Sequence, residues 1–331
     1  MAGKRQSVSC ATRAGLALAI AVFVAAGCGS SGPSSGNAPS AGAFPAVAGR
    51  SLDQILASDS PDQNLVVAPT GSVYGQGKNR FGFGIFNVDN SPVTDADVAL
   101  YAQPASGGPT EGPFPASFES LATQKAYEAK STASDPDAAK GFYVTSVPFN
   151  RNGPWNMVAV VREGGKTSSA RITTSVIVGK PNNIPKVGQK APSMHTLTAA
   201  DVGGNVGQID TRVPHDDMHA VDLADVLGKQ PVVLLFATPA LCQSRVCGPV
   251  VDVAEQVEHE PSSQGVDFIH QEIYNQNNAS KGLRPQVLDY GLRTEPWLFV
   301  IDKQGRISTR IEGAFDVAEL QAAVKKVAPS S

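Results

Sequence analysis

Between about Ser51 and Gly179 the chain alternates short apolar runs with Gly, Pro, Asn and Asp, a pattern that predicts β-strands joined by turns. In RFGFGIFNV, Phe81, Phe83 and Ile85 fall on one face of a strand and glycines on the other. DADVALYAQ reads as a second strand. GFYVTSVPF sets Tyr143, Thr145, Val147 and Phe149 on one side, and after the turn NRNG the segment PWNMVAVV does the same with Trp155, Met157, Ala159 and Val161. ARITTSVIV leads out as the last strand. The connecting stretch PASFESLATQKAYEAKSTASDPDAAKG is polar and predicts a short helix or a long loop. Nothing in this half has the makeup of a catalytic site, so it reads as a spacer or docking module.

After the Pro/Lys-rich boundary KPNNIPKVGQKAP the period changes. QPVVLLFAT is a continuous apolar run, as a strand covered on both faces requires. Val246, Val250, Val253 and Val257 then fall on one stripe of a helix. GVDFIHQEIY, PWLFVID and RISTRIE supply three further strands, and FDVAELQAAVKKV ends the chain as an amphipathic helix. Asp316 near its start and Lys325 and Lys326 near its end match the helix dipole. The expected architecture is multidomain: an all-β sandwich over residues 51–180, then an α/β domain with a mixed sheet over 181–331.

The N-terminus changes the picture of where this protein works. MAGKRQSVSCATR is basic and free of acid, AGLALAIAVFVAAG is an apolar run too short for a stable span, and both stop at Cys28. Ala25-Ala26-Gly27-Cys28 resembles the lipobox of bacterial lipoproteins, which implies a signal peptide over 1–27, lipidation of Cys28 and a lipid anchor on the extracytoplasmic side of the cell membrane. Residues 28–50, rich in Gly, Ser, Pro and Ala, read as a flexible tether. The 331 residues are 41% hydrophobic with a net charge of −3, which suits packed cores and gives no sign of a nucleic-acid partner.

Gly141 through Trp155, spaced Gly-x-Tyr-x-x-x-Val-x-Phe-x-x-x-Gly-x-Trp, resembles the closing hairpin of small immunoglobulin-like sandwiches on bacterial envelope proteins. The second half resembles the thioredoxin fold, TlpA-like and AhpC-TSA-like, over roughly residues 185 to 328. Phe236 ends a buried strand just before Cys242; Pro249-Val250-Val251-Asp252 is similar to the Pro-apolar-apolar-acid run of the thioredoxin helix; and Thr294-Glu295-Pro296-Trp297 is similar to the cis-proline strand. The resemblance implies Cys242 as nucleophile at a helix N-terminus, Cys247 as its resolving partner, Thr294, Glu295 and Pro296 as a platform for extended substrate backbone, and Trp297 as core. Arg245 would add a cation beside the thiolate. The reverse assignment has its own support, since Cys247-Gly248-Pro249-Val250 looks like Cys-Gly-Pro-Cys with the last cysteine replaced, but it inserts several residues after Phe236.

The spacing departs from Cys-x-x-Cys. Cys242-Gln-Ser-Arg-Val-Cys247 resembles the pair of Q-type peroxiredoxins, yet Thr238 lies four residues before Cys242 where those enzymes need three, and Pro296 stands where they carry Arg. Peroxidase activity therefore ranks below thiol-disulfide exchange. On a regular helix residues five apart have Cα atoms ~8.6 Å apart, whereas a disulfide spans about 7 Å at most. A helix that holds both cysteines must therefore unwind its first turn to join them.

PHDDMH, with His215, Asp216, Asp217, Met218 and His219, and APSMH, with Met194 and His195, offer copper-type ligands without fixed spacing, and the HDDMH run reads as a solvated loop rather than as a metal site. His270, at a buried strand, reads as core. The expected protein is thus a membrane-anchored thiol-disulfide oxidoreductase acting on extracytoplasmic protein thiols or disulfides through Cys242 and Cys247, with no cofactor and no metal. Two alternatives stay open: a copper chaperone of the Sco type, and a binding protein with a structural disulfide.

Overall fold

The computed structural model describes residues 1–3, 35–58, 60–62 and 64–329; the rest of the leader, with Cys10, and Cys28 lie outside them. The first half contains α1 (Leu52–Ser58), β1 (Ser60–Pro61), β2 (Leu65–Pro69), β3 (Gly77–Asn87), β4 (Asp97–Pro104), β5 (Glu111–Ser120), α2 (Lys130–Ser134), β6 (Gly141–Phe149), β7 (Gly153–Glu163), β8 (Lys166–Arg171) and β9 (Val176–Val178). They form one sheet path, β1-β8-β7-β4-β5-β6-β3-β2, with β9 on β7.

The path folds on itself because β5 changes partner along its length. Ala116, Pro115 and Phe114 pair with β4, and Ser117 to Ser120 pair with β6. The two layers so joined face each other across a common cluster, with Phe81, Phe83, Ile85, Tyr143, Val147 and Phe149 from one and Trp155, Met157, Ala159 and Val161 from the other. These are the alternating positions expected from the sequence. The apolar run ARITTSVIV, expected as one strand, is two: β8 pairs with the end of β7 and β9 with its beginning.

Residues 35–50, expected as part of a tether, lie against this sheet. Phe44 is buried with Leu52, Ile55, Tyr101, Val158 and Val160, and Tyr101 donates a hydrogen bond to the Pro45 carbonyl. Phe44 and Val47 pack against this cluster, and the Ala43 and Pro45 carbonyls accept side-chain hydrogen bonds, in a segment whose composition alone suggests a free linker.

The second half contains α3 (Leu223–Val226), β10 (Val232–Phe236), α4 (Cys247–Glu258), β11 (Asp267–Gln271), α5 (Pro285–Asp289), β12 (Trp297–Ile301), β13 (Ile307–Glu312) and α6 (Val317–Val324). The sheet order is β11-β10-β12-β13, with β10 and β11 parallel and the other pairs antiparallel. Every residue of β10 and β12 is buried because both faces are covered. Val233 and Leu235 meet α4 and α6, while Val232, Leu234 and Phe236 meet Tyr290, Trp297 and Phe299. Asp316 caps α6 by accepting from the Glu319 backbone N–H at 2.8 Å.

The two sheets share a core. Leu121 and Phe142 from the first half pack in the same cluster as Cys242, Cys247, α4 and α6. On β6 the residues alternate, Tyr143 toward its own layers and Phe142 toward α4, so one strand serves two cores. Arg80 adds a two-point ion pair to Glu319 on α6 at 2.6 and 2.7 Å. The described residues from 35 to 329 accordingly pack as one unit. Among the described residues no helix is long and apolar enough to cross a membrane.

Candidate functional site

The segment between β10 and α4 carries the two cysteines, and Pro249 decides where the helix begins. A helix starting at Cys242 would hold Pro249 in its interior, without the N–H that bonds to the carbonyl of residue 245 and with its ring against that carbonyl. Starting at Cys247 instead puts Pro249 third in the helix, where no intrahelical acceptor is needed. The structure takes this second course. Cys242 therefore lies in a turn closed by Arg245, whose backbone N–H bonds to the Cys242 carbonyl at 3.3 Å and whose φ is +59°. The expectation that Cys242 occupies the helix N-terminus is corrected: Cys247 does.

Cys242 and Cys247 form a disulfide with Cα atoms 5.9 Å apart. That separation is shorter than the ~8.6 Å a regular helix would impose, as follows from only Cys247 lying on the helix. Ser244 Oγ lies 3.3 Å from Cys242 Sγ.

The cis-proline is present: the Glu295–Pro296 peptide is cis. Phe236 pairs with Trp297, so the residues after β10 and those before β12 leave the sheet at the same end. Thr294 does not stand free there. Its hydroxyl accepts from the Trp297 indole at 2.9 Å and donates to Glu312 at 2.8 Å. Glu312 also accepts from Ser72 and from the Val73 backbone N–H of the first half. Burial raises the Glu295 carboxyl above its ordinary value. Trp297 is core, as expected.

The disulfide is covered. Cys242 is 4% exposed and Cys247 fully buried. The cover comes from the β5–β6 connection of the first half. Ala139 donates its backbone N–H to the Arg245 carbonyl at 3.0 Å, and Ser131 donates to the Val213 carbonyl. Ala129 donates to Asp252 of α4 at 3.1 Å. Gly248, second in α4, lets Thr132 approach so closely that a Cβ there would lie 3.0 Å from the Thr132 hydroxyl. The guanidinium of Arg245, expected beside a thiolate, pairs with Asp135 of the same connection at 3.3 Å.

Sequence reasoning missed two things here. In the stretch PASFESLATQKAYEAKSTASDPDAAKG, expected to hold a short helix or a long loop, PASFES belongs to β5 and α2 is the short helix, but nothing in its composition names the partner against which the rest packs. The PHDDMH run, expected to be solvated, is partly interior: Asp216, Met218 and His219 are buried, while His215 and Asp217 keep much of their exposure. Among the described residues the one cluster of His, Cys, Asp and Glu with metal-ligand spacing is Asp210, Asp216, His219 and His270, and it excludes both cysteines.

No family model and no curated protein matches this chain. Among solved structures it is similar to a thiol:disulfide interchange protein of the thioredoxin family from Chlorobium tepidum TLS, at 18% identity and a TM-score of 0.29, over 43% of this chain and 97% of that one. It is also similar to the Lin-41 filamin domain, at 8% identity and a TM-score of 0.20, over 37% of this chain and 100% of that one. Scores that low leave the chemistry to be read from the residues themselves.

Proposed function

We propose that this protein is a thiol-disulfide oxidoreductase of thioredoxin-like type, held outside the cell membrane by a lipid on Cys28 and carrying an immunoglobulin-like sandwich as its cover. One observation carries the reading: a disulfide joins a turn to the N-terminus of a 12-residue helix, at the same sheet end as a cis-proline loop.

The chemistry follows from that placement. A substrate thiolate attacks Cys242 Sγ, the less buried sulfur; the S–S bond breaks and Cys247 leaves as thiolate. The free N–H groups and the dipole at the start of α4 stabilise that charge. A second substrate thiol then attacks its own sulfur in the mixed disulfide and releases Cys242. Two electrons pass to the cysteine pair, the substrate leaves as a disulfide, and the reverse sequence reduces a disulfide substrate. Because both sulfurs are covered, exchange requires the β5–β6 connection to lift.

Full burial of Cys247 favours a second reading, a structural disulfide in a binding protein. Titrating free thiols in redox buffers separates them. A reversible couple supports exchange, whereas a potential below about −300 mV marks a structural bond and overturns it. Adding copper(I) to the reduced chain tests the Sco-type alternative, which predicts stoichiometric binding by the dithiol.

A further inference from the structure

We propose that Asp210, Asp216, His219 and His270 form a closed site for one divalent transition-metal ion, with zinc the best match, which anchors the segment in front of α4. Three ligands come from the irregular stretch before α3 and the fourth from β11. All are buried, at 1%, 5%, 3% and 1% exposure in that order.

Their spacing suits a tetrahedral ion. His219 Nε2 lies 3.4 Å from Asp216 and 3.7 Å from Asp210, and His270 Nδ1 lies 2.7 Å from Asp216 and 4.0 Å from Asp210. Bonds of about 2.0–2.2 Å around tetrahedral zinc separate neighbouring ligand atoms by roughly 3.3–3.6 Å. These contacts run to both oxygens of each carboxylate, and with one ligand atom taken from each residue all four lie within 4.8 Å of one another, so side-chain shifts would have to draw them in to that edge.

The imidazoles carry the argument further than the acids. Neither ring nitrogen of His219 makes a hydrogen bond, though the side chain is buried and its Nε2 faces both carboxylates. His270 has an acceptor at each nitrogen: the Ala237 carbonyl at 3.2 Å from Nε2 and the Asp216 carboxylate at 2.7 Å from Nδ1. A neutral ring has one N–H. Both nitrogens are hydrogen-bonded in the metal-free chain only when the ring is doubly protonated, and an ion would take the place of the Nδ1 proton that faces Asp216. The outer contacts are already those of a ligand set, because backbone N–H groups of Arg212 and Asp216 hold Asp210, and that of Met218 holds Asp216. Two carboxylates and a divalent ion sum to zero charge, as a buried site requires. Imidazole and carboxylate donors together suit zinc.

The ion would matter for the redox segment through two contacts. Thr211 accepts the Ala240 backbone N–H ahead of Cys242, and Arg212 reaches Asp252 on α4. The site itself stands independently of the exchange chemistry.

Cobalt(II) added to chelator-treated full-length protein tests the proposal. The expected result is one ion per chain with the visible spectrum of a four-coordinate nitrogen/oxygen site, no thiolate charge-transfer band, displacement by zinc, and an unchanged spectrum in the Cys242→Ser/Cys247→Ser chain. His219→Ala and Asp210→Asn should each weaken binding by at least about 100-fold, beyond the effect of an outer-shell change. Absence of stoichiometric binding, a thiolate band, or affinity unchanged in His219→Ala overturns it. Should a variant fail to fold, the wild-type stoichiometry and spectrum decide alone.

Discussion

Arg212 and Asp252 form a buried ion pair, Nε to Oδ1 at 2.9 Å, at the point where three segments meet. The same guanidinium donates to the Pro214 carbonyl and to the Tyr127 carbonyl, and the other carboxylate oxygen of Asp252 accepts the Ala129 N–H. One pair thus ties α4 to the stretch before it and to the β5–β6 connection that covers the disulfide. Burial raises the Asp252 carboxyl, and Arg212 pulls it back. Arg212→Met should destabilise the protein by about 3–5 kcal/mol, because it strands a buried carboxylate and leaves the Tyr127 carbonyl unpaired. Arg212→Met with Asp252→Leu should recover much of that loss. Thermal melts of the single and double variants check the direction, and the single variant should also show faster disulfide reduction by a small dithiol.

The cover itself can be probed without removing any polar contact. Gly248 lies under Thr132, where even a Cβ would be in tighter than ordinary contact with the Thr132 hydroxyl. Gly248→Leu should force residues 130–134 away from α4 at a cost of about 1–3 kcal/mol. If reduction proceeds through lifting of this segment, its rate should rise by roughly 5- to 100-fold on the scale of about 1.4 kcal/mol per decade. An unchanged rate, with the fold intact by circular dichroism, would show that reagents reach Cys242 by another route.

How much of this was legible in the sequence depends on whether the signal is local. The two faces of β3, β6 and β7 and the continuously apolar β10 follow from side-chain alternation and burial, and they appear where the pattern puts them. The cis bond at Pro296 and the cap at Asp316 are likewise local. The start of α4 was misjudged even though its determinant was visible, because Pro249 rules out a helix running back to Cys242. The cover over the disulfide and the Asp210, Asp216, His219 and His270 cluster were not legible. Ala129 and Asp252 are 123 residues apart, and Asp216 and His270 are 54 apart, and no periodicity records a contact of that range.

Asp267, the first residue of β11, offers a pH test well away from the cysteines. Its Oδ2 is buried without a hydrogen-bond partner, and burial alone raises its carboxyl above 3.8. Between that value and the raised one, the folded chain keeps the proton while the unfolded chain has released it. The unfolded state then binds fewer protons, so stability falls as pH rises through this window and the loss is complete above the folded value. Asp267→Asn cannot ionise. It should flatten this part of the stability profile and leave the variant slightly more stable than the wild type at neutral pH, by no more than about 1 kcal/mol because the residue is half-exposed and water screens its charge. Urea unfolding at a series of pH values checks both parts. Parallel profiles for the two proteins would mean that water already reaches the carboxylate in the folded state.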